Sequence, residues 1–112
     1  MCSSDLAETQ RRAIEGSLNF GVFGPDGVQV GFCRYVTDRA TFAWLCDVFI
    51  DEGHRGKGLS VWMIECSQQH PDLAGLKRQV LVTGSAWGLY RKFGFEVLDE
   101  VEAPKWMLRR GE

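Results

Sequence analysis

At 112 residues the chain is short enough for one domain, residues 1–112, with a modest core, and its 45% hydrophobic and 25% charged content is that of an ordinary globular protein. A formal net charge of −2 argues against nucleic acid as a general partner, which needs a basic surface, so any positive potential must be local. No apolar run approaches the length of a bilayer span, so no membrane is expected as partner and the cytoplasm is the expected compartment.

In chain order, residues 5–16 ("DLAETQRRAIEG") read as a short helix, with Asp5 as cap, Glu8 three positions on and Gly16 at the end. Residues 17–24 ("SLNFGVFG") read as a strand and "GPDGV" as a turn. The next strand, "VQVGFCRYV", alternates so that Val28, Val30, Phe32 and Val36 share one side. After a turn near "TDRAT", "FAWLCDVFI" is almost wholly apolar, as a central strand covered on both faces would be. Three antiparallel strands in a meander are predicted.

"HRGKGLS" follows, and beyond it Leu59, Trp62, Met63 and Cys66 fall at i, i+3, i+4 and i+7, one face of a helix that should pack on the sheet. Pro71 stops it. "RQVLVTG" reads as a further buried strand and "SAWGLYRKFG" as a short helix ending at Gly94. Phe95–Leu98 and Trp106–Leu108 are predicted as last strands. The order gives an α/β sandwich around a mixed, mainly antiparallel sheet flanked by helices.

Four cysteines (Cys2, Cys33, Cys46, Cys66) stand far apart with only two histidines, so neither a metal site nor a disulfide framework is expected, and the thiols should be reduced and mostly buried. Trp62 is expected in the core, and Trp44 and Trp87 near a cleft.

The glycine turn matches neither familiar phosphate motif. Gly53 precedes Gly56-Lys57 by two residues where the P-loop has four, and the dinucleotide fingerprint lacks its third glycine, since Val61 stands there. A helix N-terminus still offers backbone N–H groups without partners, and glycines let an anion come close. The alternative is an exposed turn whose glycines serve backbone angles and whose Arg55 and Lys57 are solvated.

Arg55-Gly56-Lys57-Gly58-Leu59-Ser60 and Tyr90-Arg91-Lys92-Phe93-Gly94-Phe95, taken together behind an antiparallel meander, resemble the GNAT (Gcn5-related) N-acetyltransferase superfamily. The first matches its Q/R-x-x-G-x-G/A signature, with Ser60 in the last position. The second matches its Tyr-x-x-x-Gly-Phe element. The resemblance covers roughly residues 5 to 100; relative to the family pattern a first strand and helix are missing ahead of "NFGVF". It implies the GNAT-like acyltransferase fold, N-terminally shortened, and acetyl-coenzyme A as cosubstrate, with no metal. The pyrophosphate would lie on the N–H groups of Arg55, Gly56, Lys57, Gly58, Leu59 and Ser60. The pantetheine arm would run along Val48, Phe49 and Ile50, where the family's sheet splays, and Tyr90 would face the sulfur.

Acetyl transfer to a small-molecule amine then needs a neutral amine, although alkylamines have a pKa of about 10, together with a stabilised oxyanion and a protonated leaving thiolate. Strand N–H groups near Val48 to Ile50 serve the oxyanion and Tyr90 the thiolate; otherwise Tyr90 is a packing aromatic. Asp47, the one carboxylate in an apolar strand, is the candidate base if burial raises its pKa. It could instead pair with Arg34 on the neighbouring strand, with water relaying the proton. A coenzyme A-binding module without catalysis, or an interaction domain keeping the fold, are the rival readings. "SLNFGVF" without an earlier strand would form a sheet edge with no lysine or proline to blunt it, which predicts a homodimer through this strand or a marginally stable monomer.

Overall fold

The computed structural model describes residues 3–111, and the side chains from Leu6 onward. The chain divides into two compact units, Met1–Val82 and Thr83–Glu112. The first holds α1 (Ser3–Glu15), the meander β1 (Leu18–Phe23), β2 (Gln29–Thr37) and β3 (Phe42–Ile50), a 3₁₀ turn over Glu52–His54, α2 (Leu59–Gln68) and β4 (Arg78–Val80). The sheet order is β1-β2-β3-β4; the first three strands pair antiparallel and β4 joins β3 in parallel. This is a mixed α/β fold with a mainly antiparallel sheet flanked by helices. α1 begins at Ser3, so Asp5 lies inside the helix rather than at its cap; Gly16 closes it through an N–H to the Arg12 carbonyl at 3.0 Å. Cys2 lies outside the described residues.

One sheet face forms the core. Leu18 and Val22 of β1, Cys33 and Tyr35 of β2, and Ala43 and Leu45 of β3 are buried there with Met63, Ile64 and Ser67 of α2 and with Leu73. The Tyr35 hydroxyl meets Ser67 Oγ at 2.7 Å and accepts from Gln68 Nε2 at 3.1 Å, while the Gln68 and Gln79 amides exchange two bonds at 2.9 and 3.0 Å. These bonds fasten α2 to both the sheet centre and β4, and satisfy polar groups whose burial would otherwise cost free energy.

The core therefore sits mainly on the odd-numbered face of β2: of the expected set Val28, Val30, Phe32 and Val36 only Val30 is buried, Phe32 is half-buried, and Val28 and Val36 are exposed. The strand is apolar on both sides, and Tyr35, anchored to α2, decides which one is covered. The same contact sets α2 one position away from the predicted face, so Met63, Ile64 and Ser67 point inward and Trp62 and Cys66 are exposed. β3 is covered on one face only; Trp44 and Phe49 of the other are exposed.

The second unit contains α3 (Trp87–Arg91) and a 3₁₀ turn over Ala103–Lys105. The predicted strand 78–84 is confined to Arg78–Val80, and the two predicted C-terminal strands carry no strand pairing.

Candidate active site

β3 does not run straight. Phe32 faces Phe49 and Arg34 faces Cys46, so Asp47 and Val48 together oppose Cys33 in a bulge. Asp47 takes up the extra length in the left-handed region, at φ 53°, a conformation unfavourable for most side chains and tolerated best by Asp and Asn. The bulge turns Asp47 onto the face of Arg34, whose Nε donates to Asp47 Oδ2 at 2.8 Å and whose Nη1 donates to Ser17 Oγ at 3.0 Å. Asp47 is thus not the buried carboxylate that its apolar setting predicts: 60% of its side chain is exposed, against 16% for Arg34.

Past the bulge the other edge of β3 is open. β4 pairs with Phe42, Ala43 and Trp44 only, and no strand among the described residues follows along Leu45 to Ile50. Gly31 faces Ile50, and the Asp51 N–H donates to the Val30 carbonyl at 2.7 Å beside that pair. Such bonds flank a non-hydrogen-bonded pair, so the N–H and C=O of Ile50 point away from β2, toward the open edge. Arg55 Nε donates to that Ile50 carbonyl at 3.0 Å, and its guanidinium lies 5.9 Å from the Phe49 ring centroid. Arg55 is therefore tied to the strand rather than merely solvated, and it brings the glycine turn against the end of β3.

Gly56 and Gly58 have φ of 79° and 76°, which is why the turn needs glycine at both positions. A Cβ at either would meet nothing within 4 Å, so the space above the turn is open. Gly58 caps α2 without any side-chain bond, and the first turn of α2 holds no acidic residue. The first N–H groups of this helix are left without an intrahelical acceptor, beside Lys57 and at the positive end of the dipole. The donor set fits a pyrophosphate.

In the second unit Tyr90 is buried and stacks edge-on against Phe95, with ring centroids 6.0 Å apart. The Phe95 N–H donates to the Tyr90 carbonyl at 3.2 Å and the Gly94 N–H to the Arg91 carbonyl at 3.2 Å, with Gly94 at φ 89°. This is a Schellman helix end, and the Tyr90–Phe95 contact is its usual apolar clasp. The Tyr-x-x-x-Gly-Phe element thus has a local physical cause.

A family model described as an acetyltransferase (GNAT) domain matches residues 17–97. The chain belongs to the GNAT acetyltransferase family. The GNAT-family protein xcc2953 of Xanthomonas campestris pv. campestris, known from a crystal structure, is 45% identical with a TM-score of 0.83, over 96% of this chain and 72% of that one. GNAT family protein SP0256 of Streptococcus pneumoniae TIGR4, at 21% identity and a TM-score of 0.76 over 94% of this chain and 80% of that one, shares the fold. The Gibberella zeae protein FG08082, named as a candidate acetyltransferase, is 38% identical over 68 residues, 57% of this chain. The chain spans 37% of the length of that relative.

The structure gathers Asp47, Val48, Phe49, Ile50 and Arg55 around the bulge and the open edge, and sets Gly56 to Ser60 at the start of α2. It adds Thr9, Gln10 and Phe32, which line a groove with Arg34 and Asp47. Nothing in the sequence marks Thr9 or Gln10, because their place depends on how α1 lies over the sheet. The bulge has one legible trace, an Asp inside an apolar strand. Among the described residues no helix is long and apolar enough to cross a membrane, and no cluster of three His, Cys, Asp or Glu is placed to hold a metal.

Proposed function

We propose that this GNAT chain moves an acetyl group from acetyl-coenzyme A to the primary amine of a small-molecule acceptor by direct transfer. The observation that carries this reading is the uncapped N-terminus of α2 following directly on the open edge of β3. When bound, acetyl-coenzyme A supplies an activated thioester. The Arg55 N–H is spent on the Glu52 carbonyl at 3.3 Å, so of the expected set the N–H groups of residues 56–60, with the charge of Lys57, hold the pyrophosphate, and Val48, Phe49 and Ile50 orient the arm as an added strand would. The Ile50 N–H stabilises negative charge developing on the acyl oxygen. Asp47, exposed beside Arg34 and without the burial expected of it, takes a proton from the attacking amine directly or through water, and Tyr90 delivers one to the departing sulfur, a transfer from a phenol of pKa about 10 to a thiol of about 8.5. Free Cys33, Cys46 and the exposed Cys66 support a reducing compartment, the cytoplasm.

The pairing of Asp47 with Arg34 favours one second reading, a coenzyme A-binding module without catalysis. Two measurements on Tyr90→Phe separate them. Calorimetric titration with acetyl-coenzyme A should give an unchanged Kd, while thiol release with an amine panel should fall by about a hundredfold to ten-thousandfold, the range for a proton donor. Wild-type turnover in the variant reduces Tyr90 to packing, and tight binding without thiol release from any amine establishes the second reading.

A further inference from the structure

A groove of about 390 Å³ runs between α1 and the face of the sheet opposite the core, within the usual range for ligand sites of about 300–1,000 Å³. Thr9, Gln10, Ala13 and Ile14, consecutive along one side of α1, form its wall; Phe32, Arg34 and Asp47 form its floor. The Arg34–Asp47 pair has a structural use, since a mostly buried guanidinium needs a counter-charge. The bulge sets Asp47 left-handed and leaves 60% of its side chain open where it lines the groove. Backbone strain of this kind is concentrated at ligand sites.

Arg34 spends Nε on Asp47 and one Nη1 hydrogen on Ser17, and it also hydrogen-bonds the thiol of Cys46, its neighbour across the strand pair; a guanidinium has more N–H groups than these three bonds use, and the rest are left for the groove. Two opposite charges 2.8 Å apart therefore face the groove with no net charge between them. A simple cation would meet Arg34, and a simple anion would meet Asp47. The complement is a ligand whose own opposite charges are a single carbon apart.

Resting on the acetyltransferase reading, we infer that the groove takes the acceptor as a free α-amino acid with an apolar side chain. Its carboxylate lies on the Nη donors of Arg34, its amine on Asp47, and its side chain on Phe32, Ala13 and Ile14. Asp47 is on the same strand as Ile50, so the amine is held beside the segment that orients the thioester. The amine nitrogen attacks the thioester carbon, the N–C bond forms and the C–S bond breaks, and the electron pair leaves on sulfur. The bound ammonium first gives one proton to Asp47, which leaves the nitrogen neutral for the attack; Tyr90 protonates the departing sulfur, and the second proton lost by the nitrogen passes through water to restore Tyr90. The N-acetylated product keeps its carboxylate and has lost its positive charge, so Asp47 now repels it and release is favoured.

The test uses L-leucine, 3-methylbutylamine (leucine without its carboxylate) and 4-methylpentanoate (leucine without its amine). NMR titration of the protein should show leucine shifting Ile14 and Phe32 resonances, with both analogues binding at least tenfold more weakly, as loss of one charged hydrogen-bonded contact implies. Arg34→Lys keeps a cation beside Asp47 and loses the fork, so it should fold, bind leucine at least tenfold more weakly and bind 3-methylbutylamine unchanged. Arg34→Met should act in the same direction, and Asp47→Asn should weaken leucine and the amine together. Equal binding of leucine and 3-methylbutylamine, absence of leucine binding at millimolar concentration, or an unaffected Arg34→Lys overturns the inference. Acetyl-coenzyme A titrated in parallel keeps the two readings apart. If it binds and the simple amine releases thiol as fast as leucine, only the amino-acid inference falls; if leucine binds in the groove and acetyl-coenzyme A does not bind, only the transfer reading falls.

Discussion

At Ser60, the second residue of α2, helix stability and ligand binding pull in opposite directions. A carboxylate there faces the positive end of the dipole and should stabilise the fold by about 0.3–1 kcal/mol, yet it would occupy the place of a phosphate. Ser60→Asp should therefore raise Tm slightly and weaken acetyl-coenzyme A binding by more than tenfold, read by thermal unfolding and calorimetry; unchanged affinity sinks the phosphate assignment. Cys33 gives a pH dependence. Burial, with a smaller contribution from neighbouring Cys46, pushes its thiol from about 9 up to about 12. Above pH 9 the unfolded chain gives up this proton while the folded chain retains it, so stability falls as pH rises toward 12, by up to about 1.4 kcal/mol per unit. Urea unfolding at pH 8 and pH 10 should show a steeper loss for the wild type than for Cys33→Ala. Equal slopes would mean that Cys33 does not contribute.

Among the elements, α2 is held by polar as much as apolar contacts. Tyr35→Phe removes the hydroxyl shared by Ser67 and Gln68 and should cost about 1–2 kcal/mol, seen as a lower Tm with an unchanged denaturant slope. A loss within error would mean that the apolar face alone positions the helix. The same contact shows what the sequence could and could not reveal. The meander, α2 and the two turns are legible because glycine, proline and alternation act locally; Gly56, Gly58 and Gly94 stand where φ is positive. The phase of α2 is not legible, because Trp62 and Cys66 offer as apolar a face as Met63, Ile64 and Ser67, and only the distant Tyr35 chooses between them. Asp47 is legible as an anomaly, but its bulge and its exposure follow from pairing with β2. The C-terminal segments 95–98 and 106–108 have strand-like composition and no strand to pair with among the described residues.

For the molecule as a whole, a net charge of −2 means that an anionic cosubstrate must be drawn by the local field of the turn, not by the surface at large. The edge strand β1 bears on association. Val22 is buried, so the place for a blunting charge is Phe23, which is 60% exposed. If β1 recruits a second copy, light scattering over a concentration series should rise for the wild type and stay flat for Phe23→Lys. A wild type that remains monomeric at high concentration refutes pairing through this edge. The sheet also has a temporal order. β1, β2 and β3 are joined by tight turns and close local loops, whereas β4 reaches β3 only through a crossover that contains α2, and then for three residues. Loop closure makes the meander the earlier event and the parallel pair the later one. During synthesis β3 therefore emerges with its whole outer border bare, and the brief arrival of β4 covers only the Phe42–Trp44 end. The border that would receive a cosubstrate is the part of a nascent sheet that no strand among the described residues comes to close.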